Sequence, residues 1–65
     1  MTVKSYIRDM LIQQEIEVIS EVSNKLLFKG TSNILFLSKS ELGISILKRK
    51  VSSIEAKNST IKINI

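Results

Sequence analysis

Sixty-five residues carry ten Lys or Arg against six Asp or Glu, a net charge of +4, with no His, Cys, Pro or Trp; this is material for one small domain spanning residues 1–65. Without His or Cys there is no Cys/His zinc centre, no disulfide, no thiol nucleophile and no Ser–His pair, so neither an enzyme nor a cofactor is expected. No apolar run approaches the ~20 residues of a membrane-spanning helix, so no membrane partner is expected.

A chain of this size hides only about 60% of the surface its unfolded form exposes. Yet 43% of it is apolar. With no staple to help a small core, a homodimer is the expected state, and a well-packed monomer is the alternative. Lys4, Arg8 and Asp9 interrupt the opening segment, which therefore does not read as a secretion signal, and a cytoplasmic location is expected. Charge is unevenly placed. Residues 1–24 hold two basic and four acidic side chains, net −2, and residues 25–65 hold eight basic and two acidic, net +6.

In chain order, Thr2 offers an N-cap. Val3, Tyr6, Ile7, Met10 and Leu11 then follow the spacing of one helical face, which predicts a helix over residues 3–13. Residues 15–22 alternate, with Ile16, Val18 and Val22 against Glu15, Glu17 and Glu21, and predict a strand. Residues 26–30 predict its hairpin partner. A three-residue loop, 23–25, sets Val22 opposite Leu26, Ser20 opposite Phe28, Ile19 opposite Lys29 and Glu21 opposite Leu27, avoiding the apolar–charged pairs of a two-residue loop.

Residues 31–50 are ambiguous. Ser38 and Glu41 have capping-box spacing, while Gly43 costs a helix about 1 kcal/mol relative to Ala. Two short helical pieces, about 33–37 and 39–48, are favoured, and a third hairpin is the alternative. In the closing stretch, Ile54 and Ala56, then Ile61, Ile63 and Ile65, alternate with polar residues around Asn58-Ser59. A two-residue turn there sets Ala56 opposite Ile61, Ile54 opposite Ile63 and Glu55 opposite Lys62, satisfying both faces at once. The fold class that follows is α+β: N-terminal helix, β-hairpin, short helical connection, C-terminal β-hairpin. About four strands form a mostly antiparallel sheet, with the first helix on one face.

Two groups of side chains stand out. Glu15, Glu17 and Glu21 line the outward side of the first strand; three such carboxylates are ordinarily a solvated face, though a row of them can imitate a phosphate backbone. Ile19 and Leu27 fall on the same outward side, and an apolar pair rimmed by charge is how an interface core is built. Ile19, Leu27, Glu15, Glu17 and Glu21 are therefore the candidate protein interface. Lys48, Arg49 and Lys50 form the sharpest basic cluster and, joined by Lys39, Lys57 and Lys62, are the candidate nucleic-acid contact. Tyr6, Phe28 and Phe36 take core positions, which leaves no platform for stacking bases. Gly30 and Gly43 match no phosphate-binding loop.

The opening Met1-Thr2-Val3-Lys4, the run Leu27-Phe28-Lys29-Gly30-Thr31 and the closing Val51-Ser52-Ser53-Ile54-Glu55 ahead of an alternating apolar end resemble very short accessory proteins of phages and prophages of Gram-positive bacteria. The resemblance covers most of the chain but not residues 34–50. It implies a protein, in the host cytoplasm, that binds and inhibits or modulates a host protein, an inhibitor of a defence system being the most specific form, and it implies no catalytic residues. The alternatives are a small nucleic-acid-binding regulator using Lys48, Arg49 and Lys50, and a small-ligand sponge with a pocket between protomers.

Overall fold

The computed structural model describes residues 1–10 and 14–65. Its elements are α1 (Val3–Arg8), β1 (Glu15–Ser20), β2 (Lys25–Thr31), α2 (Ser32–Phe36), α3 (Glu41–Lys48), β3 (Ser53–Lys57) and β4 (Thr60–Asn64). The strands form one open sheet in the order β2-β1-β4-β3. Each hairpin is antiparallel, but the pair that joins them, β1 with β4, is parallel. The sheet is thus mixed, two hairpins fused along a parallel seam. This α+β architecture is the class expected from the sequence.

One face of the sheet carries the core. Ile16 and Val18 of β1, Ile63 of β4 and Ile65 just beyond it meet Val3 and Ile7 of α1, Leu35 of α2, and Ile46 and Leu47 of α3. All three helices contribute buried side chains to this layer, and Tyr6, Met10, Phe28, Phe36 and Ile61 pack at its margin. Strand alternation sends Glu15, Glu17, Thr60, Lys62 and Asn64 to the opposite face, away from the three described helices.

α1 starts where its cap predicts. The Ser5 N–H donates to Thr2 Oγ1 at 3.2 Å and the Thr2 N–H donates to Ser5 Oγ at 3.1 Å, a reciprocal box that satisfies two otherwise orphaned donors. The helix ends at Arg8, short of the expected residue 13; Leu11, assigned to its apolar face, lies outside the described residues. The N-terminal segment is clasped to the chain after α3. The Val3 N–H donates to the Arg49 carbonyl at 2.9 Å and the Val51 N–H to the Met1 carbonyl at 2.9 Å.

The connection between hairpins is helical, in two pieces close to those expected. The cap of α3 is Ser40 rather than Ser38: Ser40 Oγ accepts from the Gly43 N–H at 3.0 Å. Ser38 has a different task, packing directly on Gly43. A Cβ at that glycine would collide with Ser38 Oγ and lie 2.6 Å from Ser38 Cβ. Helix propensity disfavours Gly43, but the α2–α3 elbow closes only over a residue without a side chain.

The C-terminal hairpin forms in the expected register, with Ile54↔Ile63, Glu55↔Lys62 and Ala56↔Ile61 paired. Asn58 and Ser59 both take positive φ, 49° and 67°, the two-residue turn whose twist matches that of the strands. Gln14 Nε2 donates to the Ser59 carbonyl, tying this turn to the start of β1.

The first hairpin differs from expectation. Val18 pairs with Phe28 and Glu17 with Lys29; the register then shifts, so that Ile19 pairs with Leu26 and Leu27 is left as the extra residue of a bulge. The turn is residues 21–24, closed by the Asn24 N–H on the Ser20 carbonyl at 2.7 Å, with Asn24 at φ 55°. The expected register would have set the Ser20 hydroxyl against the Phe28 ring, whereas the observed one sets Val18 there, on the core side. On the other edge of β1 the parallel pairing runs on past Ser20: the Ile65 N–H donates to the Ile19 carbonyl at 2.9 Å and the Glu21 N–H to the Ile65 carbonyl at 2.8 Å. Val22, expected to continue the strand opposite Leu26, lies in the turn and is 95% exposed.

Two substitutions test this account by thermal or denaturant unfolding. Ser59→Gly should stabilise the protein by about 0.5–1 kcal/mol, because glycine adopts positive φ without the cost borne by a side chain. Gly43→Ala should destabilise it by about 1–3 kcal/mol despite alanine's higher helix propensity, through overpacking against Ser38, and Ser38→Gly in the same chain should recover most of that loss. A stabilising Gly43→Ala would show that the elbow is not tightly closed.

Candidate functional site

The uncovered face of the sheet is ordered by charge. Across the four strands, in spatial order, Lys29, Glu17, Lys62 and Glu55 are register neighbours, so signs alternate from edge to edge. Lys29 Nζ lies 3.9 Å from Glu17 Oε2. Glu15 sits between Thr31 and Thr60, and Glu21 lies beyond the strand end, where both its carboxylate oxygens accept from Ser52 Oγ at 2.8 Å. The three carboxylates therefore have three separate surroundings. Glu17 is flanked by cations, Glu15 by hydroxyls, and Glu21 is held by a serine.

Ile19 lies outward on this same face, as expected. Its partner across the hairpin is Leu26, not Leu27, which the bulge turns towards the core, where it packs half-buried against the central cluster. The candidate interface is corrected accordingly. Beside Ile19 stand Leu26, 53% exposed, and Val22 in the adjoining turn. Three apolar side chains thus gather at one end of the first hairpin, with Glu21 and Lys25 alongside. Neither Val22 nor Leu26 was visible as a surface residue in the sequence, since both depend on where the turn closes and on the bulge at Leu27; Asn24, suited to positive φ, was the one local sign of the former.

The basic cluster is rearranged as well. Lys48 ends α3, Arg49 caps it, and Lys50 pairs with Thr2 in a short antiparallel bridge. Because the Val3 N–H bonds the Arg49 carbonyl, Lys4, one residue further on, joins the exposed group Lys48, Arg49 and Lys50. Lys57 and Lys62 do not. They project from the open face of the sheet, opposite the helices, and Lys39 sits in the elbow before α3.

Among the described residues there is no group of three or more His, Cys, Asp or Glu placed to hold a metal ion. No helix there is long and apolar enough to cross a membrane. Comparison with protein-family models, with curated proteins and with solved structures yields no match to this chain.

The alternating row makes a specific prediction. Glu17→Lys would set three cations side by side on β2, β1 and β4 and should destabilise the protein by roughly 0.5–1 kcal/mol at low ionic strength. Raising salt until the Debye length falls to ~3 Å, near 1 M, should largely abolish that difference. An equal loss at both ionic strengths would mean that packing, not charge, sets the role of Glu17.

Proposed function

We propose that this chain is a non-enzymatic binding module, an accessory protein of the phage type that acts by occupying a surface of a host protein and inhibiting or modulating it. The observation that carries this reading is the apolar end of the first hairpin. Ile19, Leu26 and Val22 lie together at the surface of a small domain whose other outward strand positions are polar. An apolar centre with a charged rim is the usual anatomy of an interface. Its backbone is anchored by the hydrogen bonds between Ile65 and both Ile19 and Glu21, so little ordering entropy is lost on binding. Inhibition of a defence component is the most specific form of the proposal and rests on the resemblance of residues 1–31 and 51–65 to phage accessory proteins.

A second reading is favoured by one observation of its own. The Thr2–Lys50 bridge concentrates Lys4, Lys48, Arg49 and Lys50 at one place, a cationic patch suited to a phosphate backbone.

One experiment separates the two. Affinity capture from host lysate should recover the same host protein with the wild type and with a K48A/R49A/K50A variant, but not with a Val22→Asp, Leu26→Asp variant whose melting temperature is unchanged. Capture that survives the hairpin substitutions but fails on loss of the basic residues, together with nucleic-acid binding that falls steeply with salt, would replace the first reading with the second.

A further inference from the structure

Topology brings the apolar tip and the basic group to one end of the molecule. β1 and β4 run parallel, so both finish at the same edge of the sheet, where β2 and β3 begin. The end of α3 and the start of α1 meet there too, joined by the bond from the Val3 N–H to the Arg49 carbonyl. Ser52 stitches this end together. Its N–H donates to the Asn64 carbonyl at 2.7 Å, and its hydroxyl holds both carboxylate oxygens of Glu21 at 2.8 Å. Glu21 adjoins Val22, and Ser52 follows closely on Lys50. The tip of the first hairpin and the cations around Lys50 are therefore neighbours on one pole.

That pole carries the net charge of the protein. Lys4, Lys25, Lys48, Arg49 and Lys50 stand there, all exposed, against Glu21 alone. The remaining five basic and five acidic residues cancel, which leaves the +4 of the chain at this end. Stability does not account for the arrangement. A cation suits the C-terminus of α3, which explains Lys48. Lys4, however, occupies the first turn of α1, where the helix dipole disfavours it and no acidic residue offsets it. Repulsion among the gathered cations adds to that cost. Charge placed against the preference of the fold marks a surface shaped by what it binds.

Resting on the reading of the first hairpin as a host-protein interface, we propose that the partner presents an acidic surface, with carboxylates set around an exposed apolar side chain. Val22 and Leu26 meet the apolar centre, and the cations of the pole face the carboxylates. A phosphate backbone fits less well. It has nothing apolar to offer Val22, which is 95% exposed, and it would repel Glu21, fixed within the pole by Ser52. The aromatic side chains Tyr6, Phe28 and Phe36 pack against the core, so none is free here to stack on bases or to sit among lipid headgroups. A protein surface, unlike a phosphate row, can interrupt its carboxylates opposite Glu21 and place a donor there. The cations form a rim, where charge governs the rate of encounter, and the apolar residues form the centre that sets the lifetime of the complex.

Binding kinetics with four probes test this: a synthetic peptide of Asp and Glu interspersed with Leu, polyglutamate of equal charge, a DNA duplex of equal charge, and phosphatidylserine vesicles. The leucine-bearing peptide should bind tightest. Removing Lys48, Arg49 and Lys50 in the K48A/R49A/K50A variant should slow its association about 10-fold at low salt and flatten the salt dependence of that rate. Dissociation should be nearly unchanged, so host-protein capture survives this variant. Val22→Asn with Leu26→Asn, which leaves the charge as it is, should weaken the peptide complex about 30-fold through faster dissociation. Peptide binding that needs Val22 and Leu26 but ignores salt and the three cations overturns the acidic partner and leaves the host-protein reading standing. Host-lysate capture that ignores the hairpin overturns that reading itself. Tighter binding of the duplex, the vesicles or leucine-free polyglutamate overturns the inference by giving the pole to a different partner, and so does a peptide that does not bind.

Discussion

The parallel seam between β1 and β4 is the constraint on which the rest of the molecule depends. Each hairpin alone is a two-stranded ribbon, marginal in water. Setting Ile16 beside Ile61 and Val18 beside Ile63 fuses them into a single four-stranded surface. The fusion aligns two apolar rows into one floor, and only that combined floor is wide enough to receive three short helices. Among the described residues no helix exceeds eight residues, too short to persist without tertiary support, so the sheet stabilises the helices rather than the reverse. The helices in turn bury the floor and leave the other face to water.

How much of this could be read from the chain follows from the range of the interactions. The C-terminal hairpin was legible because everything that sets it is local: Asn58-Ser59 for the turn, Ile54 and Ile63 for one face, Glu55 and Lys62 for the other. The start of α1 was legible for the same reason, since Thr2 and Ser5 cap each other. The first hairpin was legible only as a hairpin. Its register depends on a turn closed by the Asn24 N–H on the Ser20 carbonyl and on a bulge at Leu27 that alternation does not announce. The parallel seam was invisible because no local pattern distinguishes a strand's neighbour. For the candidate site, Ile19 and the glutamates were found by alternation, while Val22 and Leu26 were not, because they inherit the register. Ser38 was mistaken for a cap because its spacing to Glu41 fits a box; the actual cap two residues later frees Ser38 to close over Gly43.

The distribution of surface chemistry is coherent with action by contact. The open face is covered with side chains of alternating sign, which keeps a broad sheet hydrated. Its edges are short or interrupted, β3 by its five residues and β2 by its bulge, both features that discourage pairing with foreign strands. Surplus apolar side chains are placed instead at bends, at the end of the first hairpin and at the helical elbow, where the backbone is already committed and offers no free ladder. Contact at such places is made through side chains and is correspondingly selective.

The position of β4 has a consequence for how the chain acquires its structure. The last strand in sequence is an interior strand of the sheet, flanked by β1 on one side and β3 on the other. The two ribbons can zip independently within microseconds, but neither can join the other until β4, residues 60–64, has left the ribosome. Helix α1, synthesised before either hairpin, must wait for a floor half of which follows it by some fifty residues. Such long-range closure slows assembly relative to a bundle of the same length, and it makes the whole structure appear in one late, all-or-none step.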